Sequence, residues 1–523
     1  MPVLRYALLL LLGSTCGFAQ TCVCKLSGTV IDAVSKSPVE GASILMFFGS
    51  NEDVRQLGVS DRAGRFSIPS LRAGSYRVMA AARGYAPQFY GAAGPQQQGV
   101  EVHVSGANDS EVVIELYPAG DVTGQLINDG GTGVPGATVE LLARKPFRGG
   151  VHLMTLGSRV SDSKGNYGFQ SVAPGKYYLR VRRYPRLTPA AAVQDPSNCL
   201  PNVLYYPGAA VAEGAAEFTV FSRQVTSIGQ LKFVGGACRS VRVKLEHAPS
   251  LVRVALIPGE TFGIEEPPTE PVIIREEEKV LEFAAISSGD YTLLVEETTH
   301  SQSPPQVRQI QASGGDVNVS VRMEPGSITG KLQGVETKLP TELMLEPVAV
   351  ANGSVRAKVG ADGTFTFPAI REGDYFLPLR VLPKGVFIAS MSVNGSPMEG
   401  HVLHHTGTGA VSLLIQLRCC GAGVAGIVEA ADGRLVRPAA VLLLPESLAR
   451  RTPENMIVTM TGVNGAFSFA GVPPGRYKVI AIENLRFGQG VDPEFATLYE
   501  ASGTEVEVGE AGAVNVKVRA RSE

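Results

Sequence analysis

Short runs along the chain alternate between apolar and polar residues. Residues 100–104 read VEVHV, 317–321 VNVSV and 514–518 VNVKV, and 112–116 (VVIEL) keeps the same tendency. Successive side chains of a strand point to opposite faces, so a period of two predicts strands with one face buried and one facing water. The runs end at Gly, Pro, Asp and Ser clusters, which are turn formers for different steric reasons.

A longer pattern recurs along the chain. Residues 61–78 read DRAGRFSIPSLRAGSYRV, 162–179 DSKGNYGFQSVAPGKYYL, 361–377 ADGTFTFPAIREGDYFL and 463–479 VNGAFSFAGVPPGRYKV. A degenerate copy, EKVLEFAAISSGDYTL at 278–293, has lost its first glycine. The intact copies share G-x-aromatic-x-apolar-x-x-apolar-x-x-G-x-Y-x-apolar. Gly64, Gly165, Gly363 and Gly465 close a hairpin turn in this reading, and Gly74, Gly175, Gly289, Gly373 and Gly475 make a second turn. Phe66 and Ile68, like Phe365 and Phe367, lie two apart and so share one face. Tyr76, Tyr177, Tyr291, Tyr375 and Tyr477 start the next strand, with the ring buried and the hydroxyl returned to nearby backbone, as at a tyrosine corner.

Upstream of each intact copy lies a second element, at Gly28, Gly124, Gly330 and Gly426, each inside a short apolar run. A repeat of roughly a hundred residues carrying several short strands fits a small β-sandwich. The expected organisation is a segment 1–19 followed by sandwiches at 20–119, 120–235, 236–325 (degenerate), 326–420 and 421–523. The fold class is therefore all-β, a tandem array of about five small immunoglobulin-like or prealbumin-like sandwiches. Short Gly/Pro joints between them predict a semi-rigid string of beads.

Composition sharpens this picture. The chain has 523 residues with 60 Gly and 34 Pro, too many turn formers for long helices. A net charge of −2 lacks the basic footprint of a nucleic-acid binder, and together with a mean hydropathy of +0.10 it argues against a disordered chain. Residues 1–20, MPVLRYALLLLLGSTCGFAQ, combine a basic start, a short apolar core and small residues Gly17 and Ala19, the form of a secretory signal peptide cut after Ala19. No later apolar run is long enough for a membrane helix, so the mature chain is expected to be exported without a membrane span, to periplasm, cell surface or medium. Six cysteines then remain: Cys22, Cys24, Cys199, Cys238, Cys419 and Cys420. In an oxidising compartment they read as disulfide cysteines, with Cys199–Cys238 the first pairing to test.

The residues SGTVIDAVSKSPVEGASI and DRAGRFSIPSLRAGSYRVMAAARGY together resemble the carboxypeptidase regulatory-like domain. That resemblance implies a transthyretin-like (prealbumin-like) sandwich, often grouped with carbohydrate-binding-like folds, which in carboxypeptidases is a non-catalytic appendage. The loops YAPQFYG (85–91) and NVLYYPG (202–208) look like the tyrosine-proline loop of such repeats in secreted bacterial proteins. The motif is also similar to Cna-B-type surface modules, whose isopeptide bond needs a Glu four residues after the tyrosine. Here that position holds Ala80, Val181, Val295, Leu379 and Ala481, so no such crosslink is expected.

Candidate chemistry is sparse. None of the seven histidines begins an H-x-x-E pair, and no H-E-x-x-H, G-x-S-x-G or Walker A pattern occurs. The two G-x-G-x-x-G matches, at 131–136 and 421–426, lead into strands and lack the helix N-terminus that receives a pyrophosphate. His401, His404 and His405 cluster in HVLHHTGTG without carboxylates beside them in sequence, so an exposed strand or loop is expected and no metal. No cofactor is expected either. Sugar rings stack on flat aromatics, and with no Trp in the chain the candidates are Tyr85, Tyr90, Tyr205 and Tyr206. The leading expectation is a non-enzymatic exported scaffold with protein or cell-surface partners. The alternatives are a polysaccharide-binding protein using those loops, and an accessory subunit of a separately encoded exported enzyme.

Overall fold

The structure is a computed structural model that describes residues 24–48, 55–92, 99, 101–104, 110–183, 199–249, 251–262, 272–275, 280–298, 303–335, 339–350, 353–378, 382, 386–419, 421–436, 439–462, 464–483 and 491–522. It is almost entirely β, in five sandwiches that repeat one plan. The chain forms two units, one of residues 1–82, 87–91 and 99–116, the other of 83–86, 92–98 and 117–523. No helix among the described residues is long and apolar enough to cross a membrane.

In each sandwich the opening strand is flanked by the motif strand, antiparallel, and by the closing strand, parallel. In the first, Cys24–Asp32 pairs with Arg65–Leu71 on one side and Ser110–Leu116 on the other. The facing sheet holds Arg55–Val59, Ser43–Phe48 and Gly74–Ala81, with Gln88–Phe89 and Glu101–Val104 both on Gly74–Ala81. The second, third and fourth sandwiches repeat the parallel pairing of opening and closing strands. In the fifth, Ala513–Ser522 also pairs with Gly475–Glu483, so its two sheets join into one.

The repeated residues explain this recurrence. All five motif tyrosines are buried, and each hydroxyl donates to the carbonyl four residues earlier: Tyr76 to Arg72 (2.9 Å), Tyr177 to Ala173 (2.7 Å), Tyr291 to Ser287 (2.8 Å), Tyr375 to Arg371 (2.9 Å) and Tyr477 to Pro473 (2.8 Å). The tyrosine corner thus holds the second turn in every copy. A feature not legible beforehand precedes it. Ser70, Ser171, Ala285, Ala369 and Gly471 occupy one equivalent position and have φ of 63°, 55°, 58°, 56° and 69°. Each sits at a register shift between motif and opening strands, a β-bulge that turns the chain toward the tyrosine corner.

The opening glycine is explained by its cross-strand partner. Gly28 faces Phe66, Gly124 Tyr167, Gly330 Phe365 and Gly426 Phe467, and a Cβ at any of them would collide with that ring. In the degenerate third copy the same pair is Val243 and Leu281, so glycine and aromatic were lost together and side-chain volume moved across the ladder. Each sandwich encloses its own core, such as Val241, Val254, Phe283 and Tyr291 in the third.

Candidate interaction site

The two tyrosine-proline loops place their rings differently from a displayed platform. Tyr205 is fully buried, with Leu142 and Val203, beneath the third sandwich's Gly259. Tyr206, joined to Pro207 by a cis peptide, is half-buried on its own core and meets Phe218 edge-on at 6.1 Å. Tyr85 and Tyr90 are half-buried, Tyr85 in a bridge with Pro118. Adjacent strand residues face opposite ways, which puts Tyr205 on the outer sheet face and Tyr206 toward the core.

The second loop instead docks on the third sandwich. The Asn202 N–H donates to Ser287 Oγ (2.7 Å), the Ser287 N–H donates back to Asn202 Oδ1 (3.0 Å), and the Tyr291 hydroxyl reaches the same Oδ1 (2.9 Å). The Ala212 N–H donates to Asp290 Oδ2 at 3.2 Å. The loop therefore grips the tyrosine-corner turn of the following repeat. Cys199 and Cys238 are disulfide-bonded across the same joint, with Cα atoms 5.1 Å apart. Cys24 is buried and Cys419 exposed, while Cys22 and Cys420 lie outside the described residues.

Beside this loop lies a cluster of buried charge. Arg180 Nε is 2.7 Å and Arg182 Nε 3.1 Å from Glu140 Oε2, and all three side chains are buried. Both guanidiniums also donate to the Glu260 carbonyl of the third sandwich. Burial pushes the Glu140 carboxyl up, but Arg180 and Arg182 together outweigh it and hold it below the usual carboxylate range. Removing one partner of such a group leaves a buried charge uncompensated, so the cluster fixes geometry more than it adds net stability.

A second joint is made by a long hairpin. Thr138–Phe147 and Gly150–Val160 are longer than the equivalent strands of the other sandwiches, and their tip reaches the fourth and fifth. Arg148 Nε lies 2.7 Å from Glu346 Oε2, its Nη1 donates to the Pro347 and Val350 carbonyls, and the Gly149 N–H donates to Glu454 Oε1 at 2.9 Å. Gly149 has φ of 86° and a Cβ there would collide with Val402, so the tip needs glycine on both counts. Arg144 adds Glu494 at 3.0 Å.

Between the third and fourth sandwiches, buried Arg371 pairs with Glu297 at 2.6 Å, Arg308 pairs with Glu372, and Thr261 Oγ1 donates to the Ala349 carbonyl at 2.9 Å. The histidine segment lies against this joint. His404 is exposed, 2.8 Å from Asp374. His405 is fully buried against Gly326, with Nδ1 accepting from the Gly407 N–H (3.0 Å), which corrects the expectation of an exposed segment. Val402–His405 pairs with Gly373–Phe376, and this alternates the two imidazoles between solvent and interior. Burial lowers the His405 pKa, more than the Ser327 and Arg371 backbone raise it.

The expected string of beads is therefore revised within residues 117–523. The short joints are flanked by outward-facing arginines, glutamates and one long hairpin, which fill the spaces between repeats with buried polar contacts. Arg180 and Arg182, two residues apart, share one strand face, and their common acceptor is the Glu260 carbonyl, 78 residues from Arg182.

Residues 25–116 match the model of the family described as the carboxypeptidase regulatory-like domain. Among curated proteins none is significantly similar to the chain. Similar solved structures include the TIE protein of Bacillus anthracis, at 14% identity and TM-score 0.15, over 73% of this chain and 69% of that one. The minor pilin GBS52 of Streptococcus agalactiae is 12% identical at TM-score 0.19, over 40% and 95%. The shaft pilin SpaA of Lactobacillus rhamnosus GG is 12% identical at TM-score 0.18, over 41% and 98%.

Proposed function

We propose that the chain is an exported, non-enzymatic scaffold that meets protein or cell-surface partners through strand edges and loops. The observation that carries this reading is where the buried charge lies. Glu140, Arg180, Arg182 and Arg371 are buried, and each takes part in joining one sandwich to the next. The family matched at residues 25–116 agrees, since its resemblance implies a non-catalytic appendage. Joints of this kind hold loops at defined separations within residues 117–523, which suits a spacer or platform.

The experiment is a crosslinked pull-down with the full mature chain from the exported fraction of its host, paired with hydrolase assays on the same preparation. A protein recovered in fixed ratio to the bait, and lost when the bait is unfolded, is the expected result. Turnover of peptide or glycoside substrates that follows the folded chain overturns the proposal. Polysaccharide retention removed by Tyr85→Ala or Tyr90→Ala, with no protein recovered, favours the glycan alternative.

A further inference from the structure

The sheet holding Ser43–Phe48 and Gly74–Ala81 in the first sandwich has equivalents throughout the chain, and the face it turns away from its own core can be compared between copies. Aligned on the motif tyrosine, the cross-strand pair Leu45 and Met79 corresponds to Glu140 and Arg180, to Ala255 and Leu294, and to Leu442 and Ile480. In the second sandwich that pair is buried, and Arg180 reaches the third sandwich's Glu260 carbonyl. In the third it is buried in a cluster with Val350 of the fourth. In the fifth it is buried under the chain's own helix, Pro493–Tyr499, through Ala496 and Phe495.

The first sandwich differs. Leu45, Phe47, Met79 and Phe89 point outward and are half-buried. Phe47 and Phe89 lie 5.5 Å apart, and the Arg77 guanidinium sits 5.5 Å and 5.8 Å from the two ring centroids. Directly across the ladder from Arg77 stands exposed Glu101. An apolar centre with one positive and one negative residue side by side at its edge is self-complementary. Under a twofold axis, Arg77 of one copy meets Glu101 of the other while the apolar rows pack together, as aligned sheets do about 10 Å apart.

We propose that this outer face of the first sandwich is a self-association surface, occupied by the same face of a second copy of the chain. The equivalent faces of the second and third sandwiches are covered by another sandwich of this repeat, so the chemistry already used within the chain also fits two copies. The proposal does not depend on where the chain acts.

The test is sedimentation velocity on the full mature chain from about 1 to about 100 µM, where a dimer dissociating near 10 µM is expected. Met79→Glu leaves the core untouched and is expected to weaken the dimer by at least about tenfold, whereas Val160→Glu, on a residue 66% exposed in the other unit, changes nothing. Arg77→Glu is expected to weaken association and Arg77→Glu with Glu101→Arg to restore it, which keeps the test decisive if Met79→Glu misfolds. A wild-type chain monomeric at about 100 µM overturns the proposal. So does a dimer indifferent to both sets of substitutions, or a monomer retained on polysaccharide through Phe47 and Phe89.

Discussion

The Tyr291 hydroxyl lies 2.9 Å from Oδ1 of Asn202, 89 residues earlier in the chain and in the preceding sandwich. The same hydroxyl holds its own corner through the Ser287 carbonyl. This core tyrosine thus does two things, its one hydroxyl proton shared between two acceptors: it closes the turn of its own repeat and receives the loop of the repeat before it. Asn202→Ala strands the buried Ser287 N–H, and an unsatisfied buried donor costs about 1–3 kcal/mol. Calorimetry is expected to show lower thermal stability, and hydrogen exchange to rise at 287–291 and 202–212. Unchanged exchange at both segments would count against the joint.

Arg148→Ala removes the contacts of the hairpin tip with Glu346 and with the Pro347 and Val350 carbonyls. Hydrogen bonds to charged groups are each worth about 1.5–3 kcal/mol, so the tip is expected to detach while the second sandwich stays folded. The expected signature is faster exchange at 344–350 and 146–151 with no change at the core residues Val139 and Leu179. Arg148→Lys, which cannot reproduce the planar fork, restores only part of the protection.

The bulge predicts stabilisation by a residue usually thought of as flexible. Ala285 and Ala369 hold φ of 58° and 56°, where a Cβ is strained and glycine is not. Ala285→Gly and Ala369→Gly are each expected to raise stability by about 1 kcal/mol, read from the urea midpoint. Gly471→Ala, at the equivalent position with φ of 69°, should lower it by a similar amount. Loss of stability in the first two variants would refute the strain account.

His405 gives a pH dependence whose sign follows from burial. Its folded pKa is depressed below the ordinary 6.5, so below that pH the unfolded chain binds more protons than the folded one. The contribution of neutral His405 is fully present above pH 6.5 and is lost as pH falls toward the folded value. His152, stacked on Phe262 at 3.8 Å and also depressed by burial, acts in the same direction. Wild-type stability is expected to fall between about pH 7 and 5, by at most about 1.4 kcal/mol per pH unit for each group. His405→Gln should flatten that slope; an unchanged slope would assign the effect elsewhere.

Much of the local structure was legible because it depends on residues close in sequence. The tyrosine corners join a residue to a carbonyl four positions away, and the alternation of Phe66 with Ile68 needs only the geometry of a strand. The bulge residues escaped notice because four of the five are not glycine, so nothing in residue type marks their left-handed backbone. His405 lies inside for another reason. It neighbours a second histidine, and which of the two faces inward is set by strand register and by what packs over the outer face.

The sequence by itself determined the repeat, the all-β class and the five tyrosine corners, because each follows from short-range sterics or from period-two patterning, whereas strand pairing set the opening glycines against aromatics, as Gly28 against Phe66. Tertiary structure alone decided what the outward sheet faces do. Arg180 and Arg182 on one strand carry no information about the Glu260 carbonyl that receives them, and Arg148 at a hairpin tip none about Glu346, 198 residues away. A buried charge is tolerable only where its partners converge in space, and that convergence belongs to the packing of repeats rather than to any one of them.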